Sequence, residues 1–325
     1  MPVSPEVIGL GEVGLDLIAT EPVPYVDAST FVRCFGGAPI NTAVGVSRLG
    51  VKSGAVAAVG EDPFGEYIIK ELNRNDVDAS HVVTKKGTRT TIAFVINHPI
   101  TKEKTSFFYR KPWVGATADS SLEIKDIDLE YLSKAKILHV SGHALSQNPA
   151  RKAVFYAVKH AKEMGVKISF DPTLRIDCWN SESIIRKMYK QMLKVANIAT
   201  FANEESRFMF GTEDPLKVAD KVLEYGVEIV GVKQGSKGAL IKTDNGVTAS
   251  APAFKVNVVD VTGAGDGWNA GLLVGLIHGR RYEDCVRIAN AVGAFVVTRL
   301  GAITALPYKN ELNQFLKDNG IDLKL

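Results

Sequence analysis

The chain has 325 residues, with 39 Lys plus Arg against 36 Asp plus Glu, a formal net charge of +3. Hydrophobic residues make up 46% of the sequence and charged residues 23%, which excludes a disordered, collagen-like or low-complexity chain. The basic residues form no dense run, so neither a nucleic-acid surface nor a polybasic membrane surface is expected. A chain of this length buries a substantial core in one large domain or two smaller ones.

Cysteine usage and hydropathy bear on the cellular compartment. The three cysteines, Cys34, Cys178 and Cys285, lie far apart and lack the spacing of a metal site or a disulfide framework. The first residues lack the charged and apolar regions of a signal peptide, and the longest nearly uncharged apolar stretch, residues 268–277, is too short to cross a bilayer. We therefore expect a cytoplasmic protein with structural thiols.

Short apolar, β-branched runs alternate with amphipathic segments, which predicts βαβ units around a parallel sheet. The predicted strands are residues 7–11, 53–59, 137–140, 167–170, 198–201 and 228–232. The predicted helices are residues 41–49, 63–73, 150–164, 214–225, 264–277, 282–298 and 309–317, and residues 239–251 predict a hairpin. We expect an α/β fold with a doubly wound, mainly parallel sheet and helices on both faces.

Two segments, residues 15–35 and 90–110, show β-strand alternation without an intervening helix. We expect them to leave the main sheet and form a small β-sheet lid. The lid would be inserted in a core of residues 1–14, 36–89 and 111–325. A flap over a substrate cleft is one physical use for such a sheet.

The N-terminal sequence Gly9-Leu10-Gly11-Glu12-Val13-Gly14 fits the GxGxxG pattern of a dinucleotide-binding turn. That turn requires a helix at its end to hold the pyrophosphate, but Pro22 and Pro24 leave no room for one. We therefore interpret these glycines as the end of a first strand. Asp16, just beyond this strand, is expected near a ligand because open α/β sheets bind molecules at the carboxyl ends of their strands.

The most informative segment runs from Asp260 to Gly267 and precedes a predicted helix. Gly263, Ala264 and Gly265 remove side-chain bulk at the helix start, where free N–H groups and the helix dipole favour an anion. Asp266, in the first turn, is suited to take a proton from an alcohol that attacks a phosphorus atom held there. A structural role, with Asp266 as a helix-capping residue, is the alternative.

A second glycine cluster, residues 36–41, lies at another predicted helix start. Gly36 and Gly37 permit close approach of a ligand, and Asn41 offers both a donor and an acceptor for hydroxyl groups. The alternative is an ordinary helix start with Pro39 in its first turn.

These two segments, about 220 residues apart, carry a family resemblance. GGAPINTAVGVSRLG (residues 36–50) is similar to the N-terminal signature of the ribokinase-like (PfkB) family of carbohydrate kinases. DVTGAGDGWNAGLL (residues 260–273) is similar to its C-terminal signature, usually DTTGAGD. FYRKP (residues 108–112) and DPTLR (residues 171–175) resemble the fructokinase branch, with its FYR-x-P and DPNLR forms.

The resemblance implies roles for particular residues. Asp266 would be the catalytic base, and Gly263, Ala264 and Gly265 would form the anion hole. The residues expected to hold the sugar are Asp16, Gly37, Asn41 and Arg110, with Arg175 on the sugar or the phosphate side. The residues expected to bind ATP are Lys233, Gly235, Ser236, Gly238 and Asn290.

Two departures from the family pattern concern metal ions. Val261 replaces the usual threonine beside the anion site, which leaves a requirement for a monovalent cation such as K⁺ open. The family's N-x-x-E motif aligns Glu205 with its glutamate, but Ala202 stands where asparagine is usual and Asn203 is adjacent. Glu205 is interpreted as a water-mediated organiser of Mg²⁺, with an ordinary helix-start acid as the alternative.

The function that follows is an ATP- and Mg²⁺-dependent sugar kinase that phosphorylates a primary hydroxyl, with O6 of fructose as the expected acceptor. A 2-keto-3-deoxygluconate kinase is the alternative, since Arg110 and Arg175 would suit a sugar acid, and a nucleoside kinase is a third. A non-catalytic sugar sensor is disfavoured by the retained Asp266. The hypothesis of a nicotinamide-dependent oxidoreductase is supported only by the N-terminal glycines. A homodimer through the lid is also expected.

Overall fold

The computed structural model describes residues 4–21, 23–97, 104–110 and 114–325. Lys111 and Pro112 of the FYRKP motif, and part of the predicted lid segment, lie outside these residues. The described strands are β1 (Val7–Leu10), β2 (Gly14–Ala19), β3 (Phe31–Gly36), β4 (Ser53–Gly60), β5 (Val77–Lys85), β6 (Thr91–Asn97), β7 (Lys104–Tyr109), β8 (Ile137–Ser141), β9 (Lys167–Asp171), β10 (Ile198–Ala202), β11 (Ile229–Lys233), β12 (Ala239–Thr243) and β13 (Thr248–Ala251).

Nine strands form the main sheet in the order β13-β12-β11-β10-β9-β8-β1-β4-β5. Pairing is parallel from β11 through to β5, and the hairpin β12–β13 adds two antiparallel strands at one edge. The chain fills one side of β1 first and then returns to its other side at β8. The strand order therefore reverses between β1 and β8, where open α/β sheets form a ligand crevice.

Helices cover both faces of the main sheet, as expected. The described helices are α1 (Ala38–Arg48), α2 (Pro63–Arg74), α3 (Leu129–Ser133), α4 (Ala150–Glu163), α5 (Glu182–Leu193), α6 (Asn203–Phe210), α7 (Pro215–Leu223), α8 (Ala264–Ile277), α9 (Tyr282–Val296) and α10 (Lys309–Asp318). Helices α3 to α7 pack into one apolar core, and α1, α2 and α8 to α10 pack into the other. The doubly wound prediction is confirmed.

Four of the described strands and helices were not among those predicted: β5, α5 and the short helices α3 and α6. Strand β5 is an edge strand, so it mixes buried with exposed residues and lacks a continuous apolar run. Helix α5 is capped by the Ser181 hydroxyl and buries Ile185, Met188, Tyr189 and Met192, which lie at helical spacing. Helix α5 therefore connects the parallel strands β9 and β10 as a regular βαβ crossover, in a segment for which the sequence predicted no helix.

The four strands outside the main sheet form a small sheet in the order β3-β2-β6-β7. Its inner face buries Ile18, Cys34 and Val95, with Leu300 packed against them. Phe31, Phe94, Phe107 and Tyr109 form edge-to-face ring contacts, and Phe107 and Tyr109 are each about half exposed. The prediction of a small second sheet is confirmed. In the part of the chain that the structure describes, no helix is both long and apolar enough to cross a membrane.

Candidate active site

Polar side chains gather at the carboxyl ends of the central strands. Glu12 follows β1, His143 follows β8, Asp171 ends β9 and Lys233 ends β11. Since these strands are parallel, their carboxyl ends meet at one edge of the sheet, which adjoins the strand-order reversal.

Helix α8 begins with the predicted glycine-rich turn. Gly263 is its N-cap in the left-handed region, with φ of 78°, and a Cβ there would lie 2.6 Å from Cβ of Ala302. The amide of Ala264 donates to the carbonyl of Val261 at 3.3 Å. The amides of Gly265 and Asp266 lie in the first turn, where a helix offers no intrahelical acceptor. The turn therefore presents donors suited to an anion.

Asp266 lies in this first turn and contacts the second glycine cluster. Its Oδ2 accepts a hydrogen bond of 2.7 Å from Nδ2 of Asn41 on α1. Burial raises the pKa of Asp266 to about 6, and the charge of Asp171 adds to the rise, while the Asn41 hydrogen bond and the positive charge of Lys233 oppose it. A carboxylate with this pKa is mostly ionised at neutral pH and holds a proton more readily than an exposed one. It is therefore suited to general-base work.

The Gly36–Gly37 turn brings Asp16 to the same place. A Cβ on Gly36 would lie 2.7 Å from Oδ2 of Asp16 and 3.4 Å from Oδ1 of Asn41. Gly37 has φ of 139°, and a Cβ there would lie 2.1 Å from the carbonyl oxygen of Glu12, so only glycine fits. The structure thus brings Asp16, Asn41 and Asp266 together around residues 36 and 37.

Lys233 reaches the start of α8 from the end of β11. Its Nζ lies 3.5 Å from the position that a Cβ on Gly265 would occupy, and it donates to Oδ2 of Asp171 at 2.5 Å. Burial lowers the pKa of Lys233, but the charges of Asp171 and Glu205 outweigh it and raise the pKa overall. An ammonium group held at a helix N-terminus adds its charge to that of the helix dipole.

Asp171 is a central residue of the site that the sequence prediction did not assign. Its Oδ2 also accepts hydrogen bonds from Asn269 at 2.6 Å and Thr200 at 3.1 Å, and its Oδ1 accepts one from the amide of Thr173 at 3.0 Å. Burial raises the pKa of Asp171, but Lys233 and these donors hold it well below its usual range. The signal was available, because Asp171 directly follows the predicted strand 167–170, just as Glu12 directly follows the predicted strand 7–11.

Glu205 lies one strand further along and is buried. Its Oε2 accepts a hydrogen bond from the amide of Ala202 at 2.8 Å, so it completes a capping interaction at the start of α6. Oε1 is 3.4 Å from the amide of Leu174, and Oδ1 of the adjacent Asn203 is buried without a hydrogen-bond partner. Burial and the charge of Asp171 raise the pKa of Glu205. Because both carboxylate oxygens already accept amide protons, the geometry fits a water-mediated contact with a metal ion better than direct ligation.

The two predicted arginines differ in their surroundings. Arg110 is fully buried and pairs with Asp119, with Nε 2.5 Å from Oδ2. Arg175 is half-buried, donates from Nη1 to the carbonyl of Leu174 at 2.7 Å, and lies close enough to Asp266 to lower its pKa. The charge of Arg175 therefore reaches the carboxylate of Asp266, whereas Arg110 lies between Asp119 and the turn after β8.

The predicted nucleotide loop follows β11. Gly238 has φ of 103°, and a Cβ there would lie 2.1 Å from the carbonyl oxygen of Ala251. Gly235 has φ of 57° and faces open space, and Ser236 is exposed beside it. Asn290 on α9 accepts from Nε1 of Trp268 at 2.8 Å and donates to the carbonyl oxygen of Ala251 at 3.0 Å. The loop and Asn290 thus meet at the start of the chain segment that follows β13.

One crevice of the doubly wound sheet contains a carboxylate with a raised pKa, a helix start with free amides and a lysine. This combination is typical of an α/β enzyme that transfers a phosphoryl group to an alcohol. A family model described as pfkB family carbohydrate kinase matches residues 5–309. The chain belongs to the pfkB family of carbohydrate kinases, as its two signatures predicted.

Similar proteins include kinases for two kinds of acceptor. A 5-dehydro-2-deoxygluconokinase from Geobacillus thermodenitrificans is 32% identical over 317 residues, which cover 95% of this chain and 92% of that protein. A probable chloroplastic fructokinase-6 from Arabidopsis thaliana is 35% identical, covering 96% of this chain and 83% of that protein. A fructokinase structure from Vibrio cholerae with bound fructose, ADP and calcium ion has a TM-score of 0.85 at 32% identity, covering 97% and 99% of the two chains.

Proposed function

We propose that this carbohydrate kinase transfers the γ-phosphoryl group of ATP to O6 of fructose. The observation that carries the chemistry is Asp266 in the first turn of α8, whose burial, raised pKa and hydrogen bond with Asn41 support a role as the base. The choice of fructose is supported by the similar fructokinases and by the FYR and DPTLR segments.

The acceptor sugar would lie among Asp16, Gly37, Asn41 and Asp266. Asp16 and Asn41 offer an acceptor and a donor for its hydroxyl groups. Gly37, where a Cβ would collide with the backbone of Glu12, allows the turn that holds these two side chains together. Asp266 would orient the primary hydroxyl and take its proton as the bond to phosphorus forms. Closure of the small sheet over the sugar would exclude water, which otherwise competes as an acceptor.

The donor would be ATP with Mg²⁺. Its γ-phosphoryl group would accept hydrogen bonds from the amides of Gly265 and Asp266 and interact with Lys233. Gly235, Ser236 and Gly238 would follow the remaining phosphates, and the adenine would lie towards Asn290. Mg²⁺ supplies charge neutralisation to the phosphates, and Glu205 would hold it through water, since Mg²⁺ retains several waters when bound.

The second candidate acceptor is a keto-deoxy sugar acid. The name of the Geobacillus relative favours it, because 5-dehydro-2-deoxygluconate and 2-keto-3-deoxygluconate are isomers that both carry a carboxylate. Recognition of that group would rest on Arg110 and Arg175. The two candidates therefore differ in the charge that the sugar site must accept.

A panel of acceptors tests the proposal. The purified protein is assayed with MgATP and equal concentrations of fructose, 2-keto-3-deoxygluconate, 5-dehydro-2-deoxygluconate, ribose and adenosine, and kcat/KM is compared. Fructose is expected to give the highest kcat/KM, with the phosphate on O6 in the product. A higher value for either acid would replace fructose with the second candidate, and a higher value for adenosine would reject both.

The proposal also includes the oligomeric state of the protein and its cellular compartment. The half-exposed rings of Phe107 and Tyr109 on the small sheet would be covered in a homodimer through the lid. Three buried, unpaired cysteines and the use of ATP are consistent with a cytoplasmic protein. Sedimentation of the wild type against Phe107→Glu distinguishes a dimer through this face from a monomer.

A further inference from the structure

Three charged groups lie buried together near the carboxyl ends of β1 and β8. Arg110, Asp119 and Glu12 are exposed by 1%, 3% and 7%, respectively. We propose that Asp119 and Glu12 are specificity-determining residues: they neutralise Arg110 and thereby restrict the sugar site to uncharged acceptors. The inference rests on the proposed function and deepens it, because it assigns the residues that separate a sugar from a sugar acid.

The guanidinium of Arg110 already uses the N–H of Nε and one N–H of Nη1. Nε donates to Oδ2 of Asp119 at 2.5 Å, and Nη1 donates to Oγ of Ser146 at 2.5 Å. The other carboxylate oxygen of Asp119 accepts from the hydroxyl of Thr91, which fixes the acid in place. A bidentate clamp on a carboxylate needs two parallel N–H groups of one guanidinium. The Nε side of the Arg110 fork is therefore closed to a substrate carboxylate.

One nitrogen of Arg110 remains. Nη2 is buried and has no hydrogen-bond partner, which is costly for a charged donor and points to an acceptor that arrives with the ligand. Strand β7 places Phe108 over the ring of His143, with centroids 5.6 Å apart, while Arg110 binds Ser146 in the same turn. Nη2 carries two N–H groups, and these donors suit the hydroxyl or ether oxygens of a sugar.

Glu12 adds a second acid to this end of the site. Its Oε2 accepts from the hydroxyl of Ser141 at 2.5 Å and its Oε1 accepts from the amide of Ala38, the first residue of α1, at 3.1 Å. Burial raises the pKa of Glu12 to about 7, and the charge of Arg110 partly offsets that rise. Near neutral pH the three groups therefore sum to a charge between zero and −1.

Among the neighbouring basic groups, Arg175 is a half-buried cation whose charge acts on both His143 and Asp266. His143 and Lys233 add no free positive charge. Burial holds the pKa of His143 well below its usual range, and Arg110 and Arg175 lower it further, so the imidazole is neutral. Lys233 is paired with Asp171. A sugar carboxylate placed beside Arg110 would thus be a further buried anion next to two acids, with the half-buried Arg175 as the nearby cation that offsets it, whereas a neutral hydroxyl would add no charge.

The test measures the ratio of kcat/KM for 2-keto-3-deoxygluconate to kcat/KM for fructose in Glu12→Gln and Asp119→Asn. Each variant removes one buried negative charge with little change in shape, and the ratio is expected to rise roughly tenfold or more. Asp128→Asn, at an exposed helix N-cap, removes a charge outside the cluster and should leave the ratio unchanged. An unchanged ratio in folded Glu12→Gln would overturn the inference.

Asp119→Asn leaves the buried Arg110 without its ion-pair partner and risks misfolding. Glu12→Gln carries the test in that case, because glutamine retains an acceptor for the Ala38 amide. Calorimetric titration of each sugar without nucleotide gives a readout independent of turnover. A wild type that prefers a neutral sugar other than fructose rejects the proposed function alone, because the ratio change in the variants still tests the roles of Glu12 and Asp119. A wild type that prefers the acid overturns both.

Discussion

Nδ2 of Asn41 donates a hydrogen bond of 2.7 Å to Oδ2 of Asp266, joining the first turns of α1 and α8 across 225 positions of sequence. The contact links the two glycine-rich helix starts that the sequence predicts separately as a hydroxyl site and an anion site. Because a donor to the ionised form of a carboxylate favours that form, Asn41 keeps Asp266 charged despite its burial.

The first prediction concerns the base itself. Asp266→Asn preserves the size of the side chain and removes its basicity, so turnover is expected to fall by a factor of roughly 10² to 10⁴. Fructose binding measured by calorimetry without nucleotide should change little, because the sugar keeps Asp16 and Asn41. Near-normal turnover in this variant would show that Asp266 is not the base.

The second prediction is the pH dependence of kcat/KM. The base must be ionised to accept a proton, and its pKa is about 6, so activity should fall as the pH decreases through about 6. Asn41→Leu removes the donor that lowers this pKa, and the acid limb of the profile should therefore move to higher pH. Thr42→Val is the matched control, since the Thr42 hydroxyl contacts the backbone oxygen of Asp266 and not its carboxylate. If the acid limb of the pH profile did not move in Asn41→Leu, the hydrogen bond from Asn41 would not be what lowers the pKa of Asp266.

The sequence was sufficient for most of the fold because its signals are local. Buried parallel strands read as apolar runs, and the departure of two segments from the βαβ rhythm predicted the small sheet. Strand β5 was not predicted because edge strands mix polar and apolar residues. The pairing of β1 with β8, which creates the crevice, depends on contacts between distant residues that no local pattern encodes.

The sequence indicates candidate site residues where a motif is contiguous, and it gives no such indication where the cluster is assembled from several strands. Gly263 to Asp266 lie in one turn, so their spacing alone indicated an anion site. Asp171 receives its partners from β10, β11 and α8, and Arg110 receives Asp119 from a separate loop. The rule that led to Asp16 applies equally to Asp171, but only the strand order shows which strand ends converge.

The third prediction concerns Lys233. Lys233→Met removes the cation beside Gly265, so KM for ATP should rise, and Lys233→Arg should retain part of the affinity. Lys233→Met also leaves Asp171 as an unpaired buried charge, which typically costs about 3–5 kcal/mol of stability. A change in Tm without a change in KM for ATP would assign Lys233 to structure only.

The pH dependence of stability provides a separate check on the same pair. The pKa of Asp171 is depressed in the folded state, so its stabilising contribution is present above its unfolded pKa of about 3.9 and is lost as the pH falls towards the folded value. The difference in unfolding free energy between wild type and Lys233→Met should therefore be largest near neutral pH and shrink in acid. Urea titrations across this range measure it, and a difference that does not change with pH would contradict the pairing.

The last prediction compares two glycines of one turn. A Cβ on Gly265 would meet only Nζ of Lys233, at the ordinary contact distance of 3.5 Å, and alanine favours a helix, so Gly265→Ala should fold with an unchanged or higher Tm. Its methyl group would nevertheless occupy the space beside the free amides, and misplacing the phosphoryl group by about 1 Å can cost up to 10²-fold in rate. Gly263→Ala is the matched contrast, because its left-handed backbone and the contact with Ala302 oppose any side chain, and Tm should fall. Full activity in Gly265→Ala would mean that the phosphoryl group does not bind at the start of α8.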